Sequence, residues 1–344
     1  SSIPSFDPAN YKNYSSEIIN RNLAIWSNFE PGSTFKIVTL ASAINEGKVD
    51  IFKEHFYDSG SIKVANSTLH CWKRKGHGDE TFIQVVENSC NPGFVNLGQR
   101  LGKETLFKYI TELGFGKKTG IDLNGEATGI LFNLDKVGPV ELATTAFGQG
   151  ISVTALQQVT AVSAIVNGGT LYTPYIVSSV GDDSKSPVIK KENIITKETS
   201  DVVKYALESV VANGSGRNAY IENYRIGGKT GTAQKVGSDG RYMQGNYVLS
   251  FIGFMPADNP DYVMYIAIDH AKGVTQYGGV VSAPIARNVF KDIISIHDIK
   301  EDTKGIPKSY RWDDIVYKMI PDVIGKSKKV AIKMLQGFNV VFSG

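Results

Sequence analysis

The chain has 344 residues, 42% hydrophobic and 21% charged, enough for one large globular domain or two ordinary ones and too apolar for a disordered chain. A net charge of +3 and a pI near 8.5 are too mild for a nucleic-acid binder, and the short basic clusters Lys73-Arg74-Lys75 and Lys326 to Lys333 read as solvated faces. No apolar run approaches the length of a membrane span, two cysteines make no disulfide framework, and an opening of Ser1-Ser2 leaves any targeting segment to be expected upstream.

Residues 1–30 read as an irregular lead-in. Pro31-Gly32 makes a turn. The run Phe35, Ile37, Val38, Leu40, Ala41, Ala43, Ile44 is apolar nearly all round, which predicts a buried helix from Ser33 to Glu46 closed by Gly47. Residues 50–80 alternate short strand-like pieces with turns. Thr81 to Glu87 predicts a helix, Pro92 opens another through Leu101, and a third starts at Gly102-Lys103-Glu104. Residues 139–170 read as helical with a break at Phe147-Gly148-Gln149-Gly150 and a stop at Asn167-Gly168-Gly169, and Thr199 to Ala212 is an amphipathic helix.

From Tyr224 the texture changes. Tyr224 to Val236, Val248 to Met255 and Tyr262 to Asp269 are strand-like and joined by short turns, which implies an antiparallel meander. Ala283 to Ile296 closes the domain as a helix. The fold class is α/β in the broad sense and α+β more narrowly: an antiparallel sheet flanked by helices over residues 1–297. Residues 298–318 read as a charged linker. The tail, 319–344, offers a short helix from Ser327 to Gln336 and a strand-like alternation of Phe338, Val340 and Phe342, too little to hold a core unaided.

Ser33 and Lys36 place a nucleophile and a base three residues apart, on one face of a helix start. A serine hydroxyl must lose its proton as it attacks, and a neutral lysine amine accepts it once burial lowers its pKa. Alone, S-x-x-K is a weak pattern that an N-capping serine and a solvated lysine explain more simply. Ser89-Cys90-Asn91 has the form S-x-N, and Lys229-Thr230-Gly231-Thr232 the form K-T-G-T in the first strand of the meander. In this order, S-x-x-K, S-x-N and K-T-G follow the signature of class A β-lactamases and penicillin-binding proteins, and the substrate expected is a peptide ending in a free carboxylate. Lys229 supplies charge for that carboxylate, and Thr230 and Thr232 supply hydroxyl donors. Gly231 leaves room for an acyl chain along the strand. The backbone amides of Ser33 and Thr232 are the candidate oxyanion donors, Ser89 relays a proton, and Asn91 orients Lys36.

On these residues the chain resembles the transpeptidase domain of a class B penicillin-binding protein. Phe6-Asp7-Pro8, Phe29-Glu30-Pro31-Gly32-Ser33, Phe147-Gly148-Gln149-Gly150, Asn167-Gly168-Gly169 and Phe251-Ile252-Gly253-Phe254 carry the likeness over roughly residues 5–295. The middle residue of S-x-N is Cys90 where the family signature has Asp. His70-Cys71-Trp72 and Asn88 to Phe94 look most like the sporulation-specific enzymes of endospore formers, and the tail from Pro321 resembles the first half of a PASTA module.

The resemblance implies a β-lactamase/transpeptidase-like fold. It also implies cross-linking of peptidoglycan stem peptides through an acyl-enzyme on Ser33, with β-lactams as mimics of the donor. The partners implied are stem peptides, β-lactams and a glycan polymerase in the membrane, with no nucleic acid. The place implied is the outer face of the cell membrane, anchored by an N-terminal segment outside this chain. Rival readings with the same machinery are a D,D-carboxypeptidase, a β-lactamase needing a further base such as Glu141, and a β-lactam sensor.

No cofactor is required for the chemistry, but a structural zinc is a further expectation. Cys71, His77, Asp79 and Cys90, with His70 as a substitute, form a plausible tetrahedral donor set. A metal there would brace the S-x-N turn from behind. Two unlinked thiols and a disulfide remain as alternatives. His55, His270 and His297 are isolated, which leaves Lys36 as the base.

Overall fold

The computed structural model describes residues 1–237, 239–308 and 321–336. It divides into two compact units, Ser1–Lys308 and Ser309–Gly344. Residues 298–308, read from sequence as the start of a linker, belong to the first unit. Arg225 bonds Glu208 at 3.0 and 2.8 Å, and the Ile306 N–H donates to the same carboxylate at 3.2 Å. Residues 309–318 of that linker, Ile320, and the alternation at Phe338, Val340 and Phe342 lie outside the described residues.

The first unit is built around α1 (Lys36–Asn45), whose residues Lys36 to Ala43 are all buried. Its predicted first turn is a 3₁₀ turn, Gly32–Phe35, rather than α-helix. Gly32 at φ +54° brings the chain in sharply, and its N–H donates to the Gly148 carbonyl at 3.0 Å. Behind α1, β1 (His55–Asp58) is tied to β4 (Gly78–Thr81), and β2 (Ser61–Val64) to β3 (Ser67–His70), as antiparallel pairs. The helices α2 (Phe82–Glu87), α3 (Asn91–Leu101), α4 (Lys103–Glu112), α5 (Pro139–Thr145) and α6 (Ala155–Val166) follow. A small antiparallel pair, β5 (Leu171–Thr173) with β6 (Val188–Lys191), then precedes α7 (Lys197–Asn213).

The meander is the predicted one. β7 (Gly227–Val236), β8 (Tyr242–Met255) and β9 (Tyr262–Asp269) pair in the order β9-β8-β7. Side chains alternate across β8. Ile252 and Phe254 enter the large core shared with α1 and α7, whereas Phe251 and Met255 enter a smaller core under α8 (Gly278–Ile296). The closing helix starts at Gly278 rather than at Ala283. A Cβ on Gly278 would stand 2.2 Å from the Gly231 carbonyl oxygen and 2.4 Å from that of Ser250, so only glycine lets the helix begin directly on the sheet. In the second unit α9 (Lys328–Met334) is the described helix. No helix among the described residues is long and apolar enough to cross a membrane.

Two glycine substitutions test how tightly the Ser33 turn is clamped. Gly148 has φ +86°, and a Cβ there would lie 2.0 Å from the Gly32 carbonyl oxygen. Gly148→Ala is expected to cost about 3 kcal/mol or more in urea unfolding. Gly168→Ala, at φ +97° with nothing within 4 Å, should cost only about 1–2 kcal/mol.

Candidate active site

Three pieces of the chain meet at Ser89. The residue sits in the left-handed region at φ +55°, a strained conformation for a non-glycine residue, between the end of α2 and the start of α3. That conformation aims its hydroxyl at two lysines. Lys36 Nζ lies 3.2 Å from Ser89 Oγ, and Lys229 Nζ donates to the same oxygen at 2.8 Å. Lys36 also donates to the Ser89 carbonyl at 2.8 Å and to Asn91 Oδ1 at 2.7 Å. Both lysines are almost fully enclosed, at 1% and 0% exposure.

Burial pushes Lys36 down to about 8, against a smaller upward pull from Cys90 and Cys71 behind it. Burial and the charge of Lys36 hold Lys229 well below its ordinary value. Two ammonium groups so close and so dry oppose each other, so the pair readily carries a single positive charge.

Ser33 occupies the tight turn that feeds α1, and the Lys36 N–H bonds back to the Ser33 and Thr34 carbonyls. Among the described residues none holds the Ser33 hydroxyl by a hydrogen bond. The turn leans on β7: a Cβ on Gly32 would meet Ala233 Cβ at 3.0 Å and the Thr232 carbonyl at 3.4 Å. The two expected oxyanion donors, the amides of Ser33 and Thr232, thus lie on adjoining segments. Ser33, Lys36, Ser89, Asn91, Lys229 and Thr232 are brought into one site.

One assigned role changes. A Cβ on Gly231 would strike Ser250 Oγ at 2.3 Å and Thr34 Cγ2 at 3.0 Å, so this glycine is needed for packing against the nucleophile turn rather than to leave room for a ligand. Thr230 Oγ1 bonds Ser215 Oγ at 3.1 Å, and Thr232 Oγ1 accepts from the Gly278 N–H at 3.2 Å. Ser215, in the turn after α7, is a site residue that sequence reading missed; its only signal was a serine between two glycines.

Glu30 and Tyr242 add a second omission. The Glu30 carboxylate accepts from the Gly150 N–H at 2.8 Å and from the Tyr242 hydroxyl at 3.1 and 3.2 Å. Burial raises the Glu30 carboxyl above its ordinary range despite these bonds. The contact ties the β7–β8 hairpin to the residue that precedes Pro31-Gly32-Ser33.

The model of the penicillin binding protein transpeptidase domain matches residues 1–291. The chain belongs to that family. It is 55% identical to Stage V sporulation protein D of Bacillus subtilis (strain 168) over all of this chain, but it spans only 54% of that relative. It is 30% identical to the peptidoglycan D,D-transpeptidase FtsI of Escherichia coli (strain K12), covering 87% of this chain and 49% of the relative. Penicillin binding protein 3 from Mycobacterium tuberculosis, solved with ampicillin, superposes with a TM-score of 0.78 at 29% identity, over 88% of this chain and 70% of that one. The family fold is therefore the antiparallel sheet between helices that the sequence predicted.

The expected metal set is rearranged. Cys71, His77 and Cys90 converge, but their fourth neighbour is Asp58, and the four donor atoms lie within 4.8 Å of one another. Asp79 instead faces outward and pairs with His55 at 2.9 Å. The register explains this: Asp79 lies opposite Tyr57 and Asp58 opposite Gly78, so the two aspartates point to opposite faces of the β1–β4 pair. His70 contributes only its carbonyl, which accepts from Asn91 Nδ2 at 3.0 Å.

Cys71 and Cys90 are buried and unlinked. The neighbouring Cys90 thiol, opposed by burial and assisted by His77, draws the Cys71 thiol below its ordinary value. The Cys90 thiol is correspondingly pushed up, first by the bond to Cys71 and then by burial.

The pH dependence of acylation tests Lys36 as base. Only the neutral amine takes the Ser33 proton, so its fraction grows as pH rises toward the folded pKa. The second-order rate of penicillin acylation should climb about tenfold per pH unit below about 8 and then level off, as stopped-flow fluorescence would show. Lys36→Met should lower the plateau about 10²–10⁴-fold and remove the rising limb; an unchanged limb rules out Lys36.

Proposed function

We propose that this chain is the catalytic domain of a serine D,D-transpeptidase that cross-links peptidoglycan stem peptides and is acylated by β-lactams. The observation that carries the reading is the Ser89 hydroxyl held between Lys36 and Lys229 beside the Ser33 turn.

A donor peptide ends in a carboxylate, which pairs with Lys229 and favours its charged form. Coulomb repulsion then favours a neutral Lys36, and Ser89 Oγ, in contact with both amines, is the relay for that proton. Neutral Lys36 accepts the Ser33 hydroxyl proton as Oγ attacks the scissile carbonyl, and backbone amides stabilise the oxyanion. The carbonyl–nitrogen bond breaks, the leaving D-alanine amine takes a proton through Ser89, and an ester on Ser33 remains. An acceptor amine then attacks that ester. The new amide bond forms, the bond to Ser33 Oγ breaks, and the amine's proton returns to Ser33 by the same relay.

Hydrolytic readings need a base that prepares water. Glu141, a candidate from sequence, accepts from the Gly138 N–H at 3.0 Å and caps α5. Glu30 is occupied by Gly150 and Tyr242. Both favour a long-lived acyl-enzyme. The likeness to a stage V sporulation protein supports a role in spore-cortex or septal wall synthesis. A membrane anchor outside this chain, an extracytoplasmic site of action and a glycan polymerase partner follow from the same reading.

The reading includes a structural zinc held by Asp58, Cys71, His77 and Cys90. Two sulfurs, an imidazole and a carboxylate are a donor set that zinc accepts. His77 Nε2 and Glu80 Oε2 are buried without hydrogen-bond partners beside it, a polar cluster with a charge still to be balanced. The metal would have no part in the chemistry and would fix the turn that carries Ser89.

Mass spectrometry after mixing with a penicillin should show one stable adduct on Ser33, absent in Ser33→Ala. Rapid return to unmodified protein supports a β-lactamase, and no adduct defeats the mechanism. Elemental analysis of protein purified without added metal should find about one zinc per chain. No zinc, with both thiols open to titration, excludes the metal.

A further inference from the structure

The loop Cys71–His77 carries Trp72, Lys73, Arg74 and Lys75 and is anchored to the residues on either side of Ser89. Trp72 Nε1 donates to the Asn88 carbonyl at 2.7 Å, and the His70 carbonyl accepts from Asn91 Nδ2 at 3.0 Å. Asn91 in turn holds Lys36 at 2.7 Å. The loop is therefore two hydrogen bonds from the base that must take the acceptor amine's proton.

Though exposed, the loop has a fixed backbone. Asp58 accepts from the Gly60 N–H at 2.8 Å and the His77 N–H at 3.2 Å, and the Cys71 N–H donates to the Gly60 carbonyl at 2.9 Å. Gly60 and Gly76 cross so closely that a Cβ on Gly76 would stand 2.1 Å from the Asp58 carbonyl oxygen. Trp72 is 55% exposed and rests edge-on against His77 at 5.3 Å. None of the ion pairs among the described residues engages Lys73, Arg74 or Lys75, and Asp79, the next acid along the chain, is paired with His55.

Three cations without acidic ion-pair partners thus stand with an indole face on a braced backbone beside Ser89, an arrangement suited to recognition of an anion. We propose that this loop binds the acceptor: a peptide that carries the attacking amine together with free carboxylates. The proposal rests on the transpeptidase reading. Lys229 serves the donor carboxylate, which leaves with the D-alanine. The acceptor, arriving afterwards, needs its own anionic contact within reach of Lys36 and Ser89, and the Trp72 face supplies apolar area for the stem of the amine-bearing side chain. The carboxylates meet Lys73, Arg74 and Lys75. The amine nitrogen bonds to the acyl carbon, the bond to Ser33 Oγ breaks, and the amine's proton passes through Lys36 and Ser89 to Ser33 Oγ.

The test separates acceptor capture from acylation. A thioester donor forms the acyl-enzyme on the full 344-residue chain, and an amine-bearing tripeptide is offered with either a free C-terminal carboxylate or a carboxamide. The triple variant Lys73→Glu, Arg74→Glu, Lys75→Glu should raise the carboxylate acceptor's half-saturating concentration about tenfold at low salt. The carboxamide should respond little, and the difference should shrink in 0.5 M salt. Penicillin acylation should stay at the parent rate, which also reports correct folding. The charge-preserving triple Lys73→Arg, Arg74→Lys, Lys75→Arg should behave as the parent.

Where aminolysis is too slow to read, the N-acetylated tripeptides titrated against the penicilloyl-enzyme give the same comparison as Kd values. Equal responses to both acceptors, no response at all, or a parallel fall in penicillin acylation overturns the proposal. Absence of any Ser33 adduct in the parent chain overturns the transpeptidase reading instead, so the two failures are distinct.

Discussion

Two lysines buried on either side of one serine hydroxyl are the constraint on which the rest of the site depends. An isolated buried ammonium is costly, and two together are costlier. The fold accepts this by giving Lys36 three oxygen neighbours, the Ser89 carbonyl, Ser89 Oγ and Asn91 Oδ1, and by giving Lys229 the Ser89 hydroxyl and the Thr230 carbonyl. A site so arranged is short of negative charge. It is complementary to a ligand that brings a carboxylate, and it is least comfortable when empty. On the proposed mechanism, recognition and base activation are then one electrostatic event.

Holding three chain segments to that geometry explains the backbone demands elsewhere. Ser89 is kept in the left-handed region, Gly32 turns sharply under Gly148, and Gly278 starts its helix against the carbonyls of Gly231 and Ser250. Each brings backbone to backbone at distances that a side chain would prevent. Glu30 and Tyr242 add a polar tie between the Ser33 turn and the β7–β8 hairpin, so the two segments that meet at the site are fastened to each other.

Much of this was legible in the sequence because the chemistry fixes residue types at short spacings. Ser33 with Lys36, Ser89 with Asn91, and Lys229 with Thr232 are each local, and hydrophobic period places each on its element. What was illegible depends on which face a residue takes after folding. Asp79 was nearer to His77 in the chain than Asp58, yet strand parity turns it outward to His55. Gly231 looked like space for a ligand, and only the position of Thr34 and Ser250 reveals that the space is filled from within. Ser215 and Tyr242 come from segments distant in sequence, where no spacing rule reaches.

The same distinction bears on Lys73-Arg74-Lys75. By composition a short basic run is a solvated face, since free rotation in water costs a lysine nothing. Its meaning changes once the backbone beneath it is immobile. Asp58, Gly60 and Gly76 fix that backbone, and Trp72 and His70 fasten it to the two sides of Ser89. Charges on a rigid support lose less entropy when they meet an anion than charges on a free loop. The cluster of Asp58, Cys71, His77 and Cys90 lies under this loop, so whatever tightens the cluster also tightens the surface above it.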